Sequence, residues 1–165
     1  MALYDPQELA RMFAENPKSI ELTNNFKEGT VEWQRQNLTN LMHFLWSLPD
    51  DYEKFNMRDW ISTNEYVKYK PQDVVSNLCG TSACAAGHAA VLGIGNPERY
   101  DYWDDYTIEA FGEGAACDSL WDMHWAYTFP TPKHAALRIA HYLKHGEEID
   151  DVTMKSIANK TLETV

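Results

Sequence analysis

The segment from residue 78 to residue 93 constrains the fold of this chain more than any other part of its sequence. It reads LCGTSACAAGHAAVLG, and residues 83–92 include no charged side chain and are mostly small. A helix that is apolar on all sides belongs in the interior, and small side chains let neighbouring helices approach closely. We therefore expect a central helix over about residues 82–92, with Thr81 or Ser82 as its N-cap.

Six tryptophans lie outside this segment and provide a bulky counterpart to its small side chains. Protein cores commonly match large side chains to small ones across an interface. We expect the helices that carry these tryptophans to pack around the central helix. Gly93 is a natural end for that central helix. The tryptophans are Trp33, Trp46, Trp60, Trp103, Trp121 and Trp125.

Helical periodicity and capping residues predict the remaining elements, and no alternating apolar pattern of convincing length predicts a strand. The sequence therefore predicts an all-α fold, a single compact domain over residues 1–165 with six to seven helices around the central one. The other expected helices are one from Pro6 to Asn16, one between a Thr30 cap and Pro49, one from Trp103 to Phe111, one from Leu120 to Tyr127 capped by Asp118 or Ser119, one from Pro132 to His145 capped by Thr131, and one from about Asp151 to Leu162.

The charge balance limits the kinds of partner that the chain can have. Its 165 residues include 14 Lys and Arg against 25 Asp and Glu, a formal net charge of −11, and 44% of them are apolar. Such a chain can build a packed core, but it lacks the clustered cations with which proteins neutralise nucleic-acid phosphates. We therefore expect no direct binding to nucleic acid.

The N-terminal residues and the cysteines indicate the cellular compartment of the protein. The first residues have no basic segment followed by an apolar stretch, and no apolar run approaches the roughly 20 residues that span a bilayer. Three cysteines are an odd number, which argues against a closed disulfide framework. We therefore expect a cytoplasmic protein without membrane association.

A metal site is one interpretation of the spacing Cys79-x4-Cys84-x3-His88. Cys84 and His88 are four residues apart and share a helix face, while Cys117 or His124 could supply a fourth ligand. The spacing is not one of the tight Cys-x2-Cys pairs of zinc sites. The sequence therefore favours no metal, with the cysteines filling small gaps in the core.

A thiol nucleophile is a second interpretation of the same residues. Cys79 lies just before the expected helix, where unpaired amides and the helix dipole lower a thiol pKa. However, no later histidine is followed by an Asn or Asp that would orient it. We expect His88 to make a buried hydrogen bond, and we expect His134, His141 and His145 to be solvated.

Carboxylates are interleaved with aromatic residues between residues 100 and 106, in the order Tyr-Asp-Tyr-Trp-Asp-Asp-Tyr. A solvated acidic face would explain the carboxylates, but aromatic side chains with a charged rim are also typical of protein interfaces. The candidate partner-binding residues are Asp101, Tyr102, Trp103, Asp104 and Asp105.

Three motifs carry a resemblance over about residues 30–145. They are FNMRDW at residues 55–60, CGTSACAAGHA at residues 79–89, and the helix after Thr131 that ends in His-Tyr-Leu. With these motifs the chain resembles a group of small uncharacterised phage, prophage and bacterial proteins. The resemblance implies a phage-encoded accessory protein with a host-modulating or counter-defence role, and it carries over no catalytic residue.

These observations favour a protein that binds a protein partner with a basic surface, needs no cofactor and performs no chemistry. Two alternatives remain open. One is a thiol- or metal-dependent enzyme centred on Cys79, Cys84 and His88. The other is a protein that binds a nucleotide or another small molecule in a pocket among its Trp and Tyr residues.

Overall fold

The computed structural model describes residues 23–49, 52, 61–62, 70–72, 82–117, 119–121, 125–146 and 149–162. The expected helix from Pro6 to Asn16 lies outside these ranges, as do Trp60, Cys79 and His124.

Helices make up nearly all of the regular structure in these ranges, which confirms the all-α fold class. One antiparallel strand pair, β1 with β2, joins Ile61 to Ala83 and Ser62 to Ser82. Short 3-10 turns cover Pro97–Arg99 and Ser119–Trp121. The elements are α1 (Val31–Ser47), β1 (Ile61–Ser62), β2 (Ser82–Ala83), α2 (Ala85–Val91), α3 (Trp103–Phe111), α4 (Glu113–Cys117), α5 (Trp125–Thr128), α6 (Pro132–His145) and α7 (Asp151–Leu162).

Helix α1 begins and ends where the sequence predicts. The Thr30 hydroxyl accepts a hydrogen bond from the Trp33 amide at 3.2 Å, which satisfies one of the free N–H groups of the first turn. Leu48 is extended at the other end, as expected for a residue before Pro49. One face of the helix is buried in the core, through Trp33, Leu38, Leu41, Met42, Leu45 and Trp46.

Helix α6 packs along α1 in the most extensive contact between any two described elements. Thr131 caps it, Pro132 takes its first position and Gly146 ends it with a φ of +68°, all as predicted. Two side chains join the pair at opposite ends, because Lys133 Nζ donates to the Leu48 carbonyl at 2.8 Å and Arg35 donates to the carbonyl of Leu143.

Helix α2 is buried on all sides, as its uncharged sequence predicts, but it is shorter than expected. Every residue from Cys84 to Ala90 is buried. The helix begins at Ala85, and Cys84 is its N-cap. The predicted start near residue 82 is therefore wrong, because Ser82 and Ala83 take extended backbone to pair with β1.

The region after α3 also differs from the prediction. Gly112 ends α3, as expected, but Glu113 then starts the separate helix α4. The single helix predicted from Leu120 to Tyr127 is wrong at its start, because residues 119–121 form a 3-10 turn and α5 begins at Trp125.

Tryptophans contribute much of the core, as their number predicts. Among the described tryptophans, Trp46, Trp121 and Trp125 belong to the same buried cluster as the small side chains of α2, and Trp33 is also buried. Trp103 is half-buried and packs against that cluster. Large aromatic and small side chains thus share one core cluster.

Candidate functional site

The predicted partner-binding residues lie where the chain enters α3. The 3-10 turn Pro97–Arg99 is followed by extended backbone at Tyr100 and Tyr102, and α3 starts at Trp103. Asp104 and Asp105 occupy the first turn of α3, where carboxylates interact favourably with the positive end of the helix dipole. Their position therefore has a structural reason whether or not they bind a partner.

Exposure divides the five candidates into two groups. Asp101, Asp104 and Asp105 are exposed, and 70% of Tyr102 is accessible to solvent. Trp103 is half-buried, and its ring lies at 75° to the ring of Tyr106, with 5.9 Å between the ring centroids. Tyr102 is thus the aromatic side chain that a partner could cover.

A buried hydrogen bond fixes α3 beneath this surface. The hydroxyl of Tyr106 donates to the Ile94 carbonyl at 2.6 Å, and the side chain is fully buried. Burial raises the pKa of Tyr106 well above its usual value, so this hydroxyl keeps its proton. This hydrogen bond therefore joins α3 to the segment that follows α2.

Two ion pairs lie at the edge of the surface. Lys70 Nζ is 3.8 Å from Asp101 Oδ1, which also accepts a hydrogen bond from Gln72 at 2.8 Å. Arg99 pairs with Glu28. Within the described residues neither Asp104 nor Asp105 forms an ion pair, and exposed pairs of this kind contribute little to stability.

More carboxylates surround Tyr100, which is half-buried beside α3. Burial raises the pKa of its hydroxyl, Glu109, Glu28 and Glu98 raise this pKa further by their negative charge, and Arg99 opposes the increase. Asp105 and Glu109 are four residues apart on α3 and therefore share a side of the helix. We call the exposed set the acidic face: Glu28, Glu98, Asp101, Asp104, Asp105 and Glu109.

His88 makes the buried hydrogen bonds that the sequence predicts for it. Its Nδ1 is 2.9 Å from the Cys84 carbonyl oxygen, and its Nε2 is 3.2 Å from the Tyr52 hydroxyl. A carbonyl only accepts, so Nδ1 carries the proton and Nε2 accepts from Tyr52. Burial raises the pKa of Tyr52, which favours the protonated hydroxyl in that role.

The cysteine and histidine set is only partly described. Cys84 is buried, the backbone of Cys117 ends α4, and Cys79 lies outside the described residues. Among the described residues, no three His, Cys, Asp or Glu side chains lie together in an arrangement that could hold a metal ion. The metal and thiol hypotheses for Cys79, Cys84, His88 and Cys117 therefore stay predictions.

The sequence interpretation was wrong about His141 and missed Arg138. Both side chains lie in the stretch of α6 that is buried on all sides, although each is polar. The rings of His141 and His145 are 4.6 Å apart, so His141 is packed and not solvated. The signal for Arg138 was present, because it is a lone cation between Leu137 and Ile139 in an otherwise small and apolar run.

No family model, no curated protein and no solved structure matches the chain. Within the described residues, no helix combines the length and the apolar character needed to cross a membrane.

Proposed function

We propose that this chain binds a protein partner through the acidic face, with Tyr102 as the central contact, and that it performs no chemistry. The partner presents a basic surface. The observation that carries the proposal is the 70% exposed Tyr102 flanked by the exposed carboxylates Asp101, Asp104 and Asp105.

The chemistry of the acidic face suits such a partner. Tyrosine is enriched among residues that dominate binding energy, because it buries a large apolar ring and keeps a polar hydroxyl. Carboxylates around such a residue attract a basic surface and increase the rate of encounter. A net charge of −11 adds long-range attraction to the same partner.

The contacts that hold the start of α3 against the core also support binding through the acidic face. The buried Tyr106 hydroxyl and the half-buried Trp103 fix the start of α3 to the core. A partner that covers a fixed surface loses less conformational entropy on binding than one that must order a loop.

The motif resemblance indicates where the protein acts and on what kind of partner. We propose that the protein is a phage or prophage accessory product that acts in the cytoplasm of the host cell. Its role there is to occupy a host protein, as a host modulator or a counter-defence factor.

A quantitative pull-down from host lysate over a series of salt concentrations tests the proposal. Asp104→Lys/Asp105→Lys should weaken capture of the partner by about tenfold or more, and Tyr102→Ala should do the same. The matched control is Glu113→Lys/Asp151→Lys, which reverses two exposed carboxylates in the first turns of α4 and α7.

The control gives the same change in net charge and in helix-dipole interactions as the test variant, but it leaves the acidic face intact. Capture that survives moderate salt, is lost in the first double variant and is kept in the control would support the proposal. Equal capture by both double variants, or no partner at moderate salt, would refute it.

A further inference from the structure

Arg138 is a cation in the interior of the protein. Its side chain has 0% exposure, and its neighbours on α6 from Ala135 to His141 are all buried. Burial lowers the pKa of the Arg138 guanidinium to about 9, because the interior disfavours its charge. Charged side chains are almost never fully buried unless they are paired.

Two contacts hold the guanidinium group in place. The indole ring of Trp125 lies against it, with 4.7 Å between Arg138 Cζ and the ring centroid. Nη1 donates to the carbonyl of Phe129 at 3.0 Å. A ring stacked on the face of a guanidinium leaves the N–H groups at its edge available for hydrogen bonds.

Among the residues that the structure describes, the edge formed by Nε and Nη2 has no hydrogen-bond partner. The N–H groups of these two nitrogens are parallel, and in proteins this fork pairs with two oxygens of a carboxylate or a phosphate. The third nitrogen, Nη1, already donates to the Phe129 carbonyl. What is left unsatisfied is therefore the edge that recognises an oxyanion.

No carboxylate among the described residues forms an ion pair with Arg138. An uncompensated buried charge is strongly destabilising. Trp121 lies on a turn that packs against α6, and its Nε1–H group is a second buried donor that has no partner within the described part of the chain. Both unsatisfied side chains are donors, so what would complete them is an acceptor.

We propose that Arg138 binds an oxyanion, the phosphate or carboxylate group of a small ligand, through its Nε and Nη2 edge. Trp125 and the Phe129 carbonyl orient the guanidinium for this contact. The site lies in the interior, where low polarity strengthens a charge-assisted hydrogen bond. It is separate from the acidic face and does not depend on a protein partner.

Titration of the unmodified protein gives the direct test. The ¹⁵N resonance of Arg138 Nε is followed by NMR in chloride buffer while inorganic phosphate or acetate is added, and heats of binding are measured in parallel. We expect a saturable shift of this resonance with one of the two anions, and the responding anion identifies the source of the oxygens. No saturable shift and no heat with either anion would overturn the proposal.

Variants separate anion binding at Arg138 from anion binding elsewhere on the protein. Arg138→Lys keeps a cation but loses the two-pronged edge, so the apparent affinity should fall by about tenfold or more. Arg99→Gln removes an exposed arginine and should bind as the parent does. A saturable response of equal affinity in all three proteins would overturn the assignment to Arg138.

A carboxylate of the chain itself is the competing occupant, and Asp118 and Asp122 are the nearest in sequence to Trp121 and Trp125. Asp118→Asn and Asp122→Asn should leave anion binding unchanged if the site takes a ligand. If either variant creates anion binding that the parent lacks, its carboxylate occupies the edge and the proposal is wrong.

Discussion

Gly93 and Gly95 hold the same backbone conformation in different surroundings. Their φ angles are +76° and +72°, in the left-handed region that residues with a side chain rarely adopt. A Cβ atom at Gly93 would meet no atom of the described residues within 4 Å, whereas one at Gly95 would collide with the methyl group of Ala110. The turn between α2 and α3 therefore needs Gly95 for close packing as well as for conformation.

The two glycines provide a matched test of that difference. Gly93→Ala should lower the free energy of unfolding by about 1 kcal/mol through backbone strain alone. Gly95→Ala should cost roughly 1–3 kcal/mol more, because α3 must move to admit the new methyl group. Urea denaturation of both variants measures the difference. Equal losses would show that Ala110 can give way without cost.

Single residues differ in how far the sequence could predict them. Thr131, Pro132 and Gly146 were predictable, because capping and φ preferences act within a few residues. His88 was also predictable, since a buried imidazole needs a partner. Its partner Tyr52 was not, because only the fold brings together two residues 36 positions apart. The contact between Arg138 and Trp125 was also not predictable, because only the fold brings α5 against α6.

At the scale of the element, α2 shows what composition can and cannot predict. Its small, uncharged residues predicted burial on all sides. They did not predict the start at Ala85, because the preceding Ser82 and Ala83 pair with residues 20 and 22 positions earlier. The length of a buried helix depends on its surroundings as well as on its own sequence.

Ala86 tests how closely α2 is packed. Its side chain is fully buried in the core, so Ala86→Leu should lower the free energy of unfolding by roughly 1–3 kcal/mol through overpacking. Ser156→Leu on the exposed side of α7 is the control and should change stability by less than about 0.5 kcal/mol. Thermal unfolding compares the two. An Ala86→Leu protein as stable as the parent would show that the space around α2 is loose.

Asp150 gives the start of α7 a dependence on pH. Its carboxylate accepts a hydrogen bond from the Thr153 amide at 2.7 Å, and this bond lowers the pKa of Asp150. A carboxyl whose pKa is lower in the folded protein adds stability above its unfolded pKa of about 3.9 and loses that contribution as the pH falls through the folded value. The cap on α7 should therefore weaken in acid.

Asp150→Asn removes the titrating group but keeps an oxygen that can accept from Thr153. The variant should lose less stability than the parent between neutral pH and about pH 3. Asp104→Asn, which replaces an exposed carboxyl outside this cap, is the control. Urea midpoints measured over that range compare the three proteins. Identical pH profiles for the parent and Asp150→Asn would contradict a role for the cap charge.

At the scale of the whole molecule, buried polar contacts join the helices across long stretches of sequence. Asn37 on α1 donates to the Ala110 carbonyl at 2.8 Å and accepts from Asn24 at 2.9 Å, so it connects α1 with α3 and with the segment before α1. Gln34, one turn earlier, donates to the Glu109 carbonyl at 3.3 Å in an exposed position. The two side chains join the same pair of helices in different environments.

Asn37→Ala should therefore cost far more stability than Gln34→Ala. Asn37→Ala leaves the buried carbonyl of Ala110 without this partner, at a cost of roughly 1–3 kcal/mol. Gln34→Ala leaves the carbonyl of Glu109 open to water and should cost less than about 0.5 kcal/mol. Because a single domain unfolds as one unit, tryptophan fluorescence and far-UV circular dichroism should report the same urea midpoint for Asn37→Ala. Separate midpoints would divide the chain into independent units, and equal losses in the two variants would show that burial of the Asn37 contact adds nothing.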